Sequence, residues 1–185
     1  MSRPRLPTLA VFAVLLLTYG YFIRTARDEN SNSRLGLIFA VAREGRLTID
    51  SFHQHPWLHT IDKAYHGGHY YSDKAPGTAV LGVLAYAPVY HAARALGLDT
   101  DTWSAFSRTK YFLTVIVAGI PSALAGAMVY AFLFRITGDT WRSYLATISI
   151  ALGTMVLPFS TLLFGHTLAA ACLLAAFLMA VGWRR

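Results

Sequence analysis

Between Thr60 and Gly77 the chain reads "TIDKAYHGGHYYSDKAPG", which sets Asp62, Lys63, Asp73, Lys74 and two histidines among three tyrosines. These residue types suit phosphate and cation chemistry. Lys74 is a point-charge partner for a phosphate, and Asp73 can hold a divalent cation or orient that lysine. A charge pair at the start of a helix accounts for the same two residues. Upstream, Asp28-Glu29 places two carboxylates side by side. A carboxylate held at a membrane surface can act as a general base on an acceptor hydroxyl, whereas a solvated pair answering Arg24 and Arg27 needs no chemistry at all. His53, His55, His59, His66 and His69 have spacings that fit zinc weakly, with no cysteine nearby to complete a site. His166 differs from them, because an ionisable group inside an apolar run points to function.

The elements that must position these groups follow from composition. Of 185 residues, 55% are hydrophobic and 14% charged, against about 25% charged in soluble domains. Thr8–Ile23, Tyr111–Phe134 and Ser143–Trp183 contain no Asp, Glu, Lys or Arg, and bilayer-spanning helices need about 20 such residues. The chain therefore reads as an integral membrane protein. Its net charge of +7 does not make it a nucleic-acid binder, because the basic residues flank apolar runs. Cys172, the single cysteine, rules out an internal disulfide framework.

The first run ends in Tyr19, Tyr21, Phe22 and Ile23 rather than in small residues, which favours an uncleaved anchor over a cleaved signal peptide. Ser143–Trp183 as one helix would measure about 60 Å, twice the hydrocarbon core, so a break is expected near Phe164-Gly165-His166. Thr78–Ala93 is short, holds Pro88, and reads as interfacial. Four spans are then expected, near 8–24, 111–134, 143–163 and 167–183. They place Arg3/Arg5, Arg135/Arg142 and Arg184/Arg185 on one side, the cytoplasmic one. The expected fold is all-α: a first span over 1–24, an external loop over 25–110, and three further spans over 111–185. Eight of the nine acidic residues and six of the seven histidines fall in that loop. Within it, Ser33 is positioned to cap an amphipathic helix striped by Leu35, Ile38, Phe39 and Ala42, closed by Gly45. Arg34, Arg43 and Glu44 lie off the stripe. The helix can lie on a membrane surface or pack against the protein's own helices.

The order of these parts (a span, an acidic pair, a helix ending "AREGRLTID", a "GHYYSDKAPG" box, a short apolar helix) resembles the N-terminal module of the GT-C membrane glycosyltransferases. The branch in question contains protein mannosyltransferases and lipid A aminoarabinose transferases. The resemblance implies a sugar donor linked to polyprenyl phosphate, a hydroxyl-bearing acceptor, and inverting transfer on the external face of the plasma (inner) membrane. It assigns the base to Asp28, with Glu29 its neighbour and Asn30 an alternative, since the Asp28-to-Gly45 spacing is about two residues longer than the family's. It puts Tyr71, Lys74 and Arg108 at the donor, and Asp73 beside a divalent metal. His166 stands where the family often has an acid, which makes it, with Asp73, a candidate ligand of that metal. GT-C enzymes are longer, so the chain matches the first part of such an enzyme. A non-catalytic membrane protein that binds lipid phosphate, or assembles with other membrane subunits, is the alternative.

Overall fold

The charge-free runs fold into helices, though not into the four expected. The computed structural model describes residues 5–183; Arg3, Arg184 and Arg185, used above to orient the chain, lie outside them. In order along the chain come α1 (Arg5–Phe22), α2 (Glu29–Phe39), β1 (Lys63–His66), β2 (His69–Ser72), α3 (Pro76–Ala95) and α4 (Trp103–Thr114). These are followed by α5 (Ile120–Thr137), α6 (Thr140–Gly153), α7 (Val156–Ser160) and α8 (His166–Trp183).

The all-α fold with about four spans is corrected on two counts. Among the described residues one helix, Trp103–Thr137, is long and apolar enough to cross a membrane. It runs through α4, a π-helical turn at Val115–Gly119, and α5 without interruption. The outer runs form the shorter apolar helices Leu6–Phe22 and His166–Gly182, of at most 17 residues, which rise about 26 Å against a core of about 30 Å. The 143–163 run is not one helix: Thr154 turns extended after α6, and the five-residue α7 follows. The expected break at His166 does mark the start of α8.

Secondly, the titratable stretch folds into a β-hairpin, β1 antiparallel to β2, with Lys63 opposite Ser72 and His66 opposite His69. Gly67 and Gly68 join the strands with φ of 58° and 86°. A two-residue hairpin turn of this kind requires positive φ at both positions, which glycine supplies without steric cost.

Helix α2 begins earlier than expected. Asp28 caps it, accepting a bond from the Ser31 backbone amide at 2.7 Å; Ser33 is buried and bonds Ser72 Oγ of β2 instead. A π-helical turn, Ala40–Glu44, continues α2 and ends at Gly45 in the left-handed region. Leu35, Ile38, Phe39 and Ala42 are all buried in one apolar cluster with Phe52, Leu58, Tyr86 and Leu113. The stripe therefore packs inside the protein, against α3, which passes through Pro88 without ending. Gly82 allows the close approach, since a Cβ there would lie 2.3 Å from Ile38 Cδ1. A second cluster joins α1, α5 and α6 around Leu15, Tyr19, Ala123 and Tyr130.

Candidate functional site

The start of α2 carries the acidic pair into a bonded frame. Asp28 Oδ2 accepts from Lys110 Nζ at 2.9 Å, and that ammonium also donates to the Ala26 carbonyl at 2.6 Å. Lys110 is 1% exposed. Its ammonium has left water, so the carboxylate beside it offsets a desolvation cost of several kcal/mol. Glu29 Oε2 accepts from the Ile61 amide at 2.7 Å, and the Glu29 carbonyl accepts from Thr60 Oγ1 at 2.9 Å. The pair thus ties α2 to α4 on one side and to the approach to β1 on the other. Asn30 bonds the Arg34 guanidinium.

The second group forms where β2 turns into α3. Lys74 Nζ lies 2.9 Å from Asp62 and 3.1 Å from Asp73. Burial works against its charge, but the bonds to Asp62 and Asp73 outweigh it and raise the Lys74 pKa above the ordinary lysine range. The Ser33–Ser72 bond, 2.8 Å, holds this corner against α2.

Arg34 joins the two groups. It is 6% exposed, and burial pushes its guanidinium down from the usual arginine range, while Asp73, Asp28 and Asp62 oppose that shift. Its Nε finds no acceptor among the described residues. Its edge faces a cavity of about 420 Å³ lined also by Ala75, Gly77 and Thr78 at the start of α3 and by Gly165 and His166 at the start of α8. No side chain caps α3, which leaves its first-turn amides available to an anion. Gly165 lets the two helix starts meet, since a Cβ there would lie 2.7 Å from Thr78 Oγ1. A buried cation with an unused donor, beside two helix N-termini, is suited to a phosphate.

The other expected residues are placed less closely. His166 lines this cavity with its ring stacked on Phe159 at 4.7 Å. Strand alternation puts Tyr71 on the face of β2 opposite Tyr70 and Ser72. Arg108 is exposed on α4, two residues and so about 200° from the inward-facing Lys110. Among the described residues no group of three His, Cys, Asp or Glu is arranged to hold a metal ion. Asp73 is engaged by Lys74, and His59 bonds Arg27 at 2.6 Å rather than the other histidines. The donor set thus does not fit the divalent cation that the resemblance implies.

Arg34 and Lys110 complete the site without having been given a role from the sequence, and Asp62, named there only as one of the titratable residues of its stretch, joins them. Arg34 had one signal, its place off the apolar stripe. Lys110 had another, as the last charge before an apolar run. Neither signal names a partner.

No protein-family model, no curated protein and no solved structure matches the chain.

Proposed function

We propose that this chain carries the donor-phosphate end of a membrane glycosyltransferase that uses a sugar linked to polyprenyl phosphate. The observation that carries this reading is the cavity lined by the Arg34 side chain and by the start of α3, with the Lys74 ammonium one residue before Ala75 of that lining. In this reading Arg34 and the α3 amides hold the phosphate oxygens. Lys74, shared between two carboxylates, offsets the negative charge that grows on the leaving group. An acceptor hydroxyl attacks the anomeric carbon, the bond from that carbon to the phosphate oxygen breaks, and polyprenyl phosphate leaves. The hydroxyl proton passes to Asp28, which is 29% exposed on its side chain. One displacement inverts the anomeric configuration. No step is routed through a metal.

The reading also places the protein in the plasma membrane with its N-terminus cytoplasmic. The Trp103–Thr137 helix crosses, with the shorter apolar helix α1 packed along α5.

One observation favours a second reading. Both Asp28 oxygens are engaged, by Ser31 and Lys110, as suits a structural residue in a lipid-phosphate-binding subunit without transfer activity. The deciding experiment reconstitutes the protein in nanodiscs with a radiolabelled polyprenyl-phosphate sugar and a hydroxyl-bearing acceptor. Transfer that Asp28→Asn abolishes, in protein that still binds donor, supports the enzyme. Donor binding without transfer supports the subunit. Absence of phosphate-dependent donor binding overturns both.

A further inference from the structure

At the other end of α3 lies a larger cavity, of about 510 Å³, that no part of the mechanism uses. It falls within the range of small-molecule sites, roughly 300–1,000 Å³. Tyr90 on its wall is 14 residues beyond Pro76, so it stands about 20 Å along α3 from the phosphate cavity.

Its walls are of two kinds. One is aromatic: Trp57 packs with Phe106 at 6.2 Å between ring centroids and with Trp103 at 5.9 Å, while Tyr90 faces in from α3. The other is polar and charged. Arg43 lies over the Tyr90 ring at 4.9 Å and pairs with Asp101 at 2.6 Å. Asp101 remains 63% exposed at the side chain, so one of its oxygens is open to the cavity mouth. Glu44 lines the same wall with one oxygen bonded to Arg46 and Ser51. Thr100 Oγ1 is buried there with no partner among the described residues.

The geometry points to a binding site for a neutral saccharide. A pyranose ring has an apolar C–H face, which suits an aromatic wall, and a rim of hydroxyls that each donate and accept. The Asp101 and Glu44 carboxylates accept from such hydroxyls, and Arg43 donates to them. Charge argues against other ligands. Both guanidinium groups at this wall are already paired, Arg43 with Asp101 and Arg46 with Glu44, which leaves neither free for a phosphate, and Arg43 already occupies the Tyr90 face that an organic cation would need. This inference does not rest on the transferase reading, because it uses none of the residues of the phosphate cavity.

The test uses the full chain in lipid nanodiscs, since sugar-headed detergents would compete. Saturation-transfer NMR is run with the methyl glycosides of glucose, mannose and galactose and with their disaccharides. At least one should give a saturable signal. Asp101→Asn, on an exposed side chain, should weaken binding about tenfold, the loss expected for one charge-assisted bond. Trp57→Phe should weaken it further, and Arg142→Gln, on an exposed side chain outside both cavities, should leave it unchanged. The inference is overturned if no saccharide binds to folded wild-type protein. It is equally overturned if inorganic phosphate displaces the saccharide, or if Asp101→Asn and Trp57→Phe both bind like wild type.

Discussion

Two cation–carboxylate groups sit at opposite ends of one short run of contacts, and they differ in what they leave unused. At Asp28–Lys110 both oxygens and the ammonium are engaged, and the lysine is closed to water. Around Arg34 and Lys74 the carboxylates are Asp62 and Asp73, the Arg34 Nε makes no bond among the described residues, and a cavity opens beside the guanidinium. The first arrangement suits stability and the second suits binding. A charge is available to a ligand only to the extent that the fold has not already satisfied it.

The sharpest way to break this contrast is Asp28→Asn. Asparagine still caps α2, but it strands a buried ammonium, which costs about 3–5 kcal/mol. Thermal unfolding in nanodiscs should show this loss, and Asp28→Asn with Lys110→Met should recover most of it. A single variant as stable as wild type would remove the structural role from the pair.

Arg34→Met should behave in the opposite way. Losing a buried cation with an unused donor should change stability by less than about 1 kcal/mol, while affinity for polyprenyl phosphate should fall about 10- to 100-fold. Titration calorimetry with wild type and variant reads the difference. A variant that unfolds with intact binding would merge the two groups into one structural network.

A smaller effect is expected at Lys74. Since Asp62 and Asp73 already hold it, Lys74→Gln should weaken phosphate binding only a few-fold. Asp62→Asn should tighten it by a similar factor, and Lys63→Gln should do neither. Equal losses for both lysines would indicate unspecific surface attraction, screened over about 10 Å at 0.1 M salt.

The smallest effect concerns pH and the hairpin. Burial, then the neighbouring Lys63, lowers the His53 pKa below its ordinary 6.5. The unfolded chain therefore binds the proton first, so His53 contributes stability that is present above about pH 6.5 and is lost as pH falls toward the folded value. Asp50, lowered by the Tyr70 amide and then by His69, acts in the same direction but only below the usual carboxylate range. Protection factors of the β1 and β2 amides, taken relative to the intrinsic exchange rate at each pH, should fall between about pH 7 and pH 5, and His53→Phe should flatten that dependence. A profile unchanged by His53→Phe would remove the histidine from the hairpin's stability.

The sequence made some of this legible and hid the rest for physical reasons. The α2 stripe and the left-handed stop at Gly45 were readable because periodicity and glycine act locally. The hairpin was also written locally, in Gly67-Gly68 between aromatic residues, but the tyrosines and histidines drew attention to titration rather than to strand pairing. The number of spans was misread because absence of charge sets hydropathy and not helix length. Thr154 and Pro158 break a run that contains no charge at all. Lys110 to Asp28 spans 82 positions, and no local pattern announces a partner at that separation.

The π-helical turn at Val115–Gly119 has a consequence for insertions and deletions. Upstream of it Lys110 faces Asp28, and downstream Gly126 lies against Leu15 of α1, where a Cβ would come within 2.2 Å of Leu15 Cδ1. In an unbroken α-helix the 16 steps between these positions would leave them about 160° apart, and absorbing one residue in a wide turn reduces that to about 60°. The helix thus carries a spare residue at this level. Removing one residue from within the turn returns it to regular α-helix with both faces still in phase. The same deletion a turn further down would swing Lys110 away from its carboxylate by about 100°. Tolerance of a lost codon is therefore confined to one turn of the longest helix.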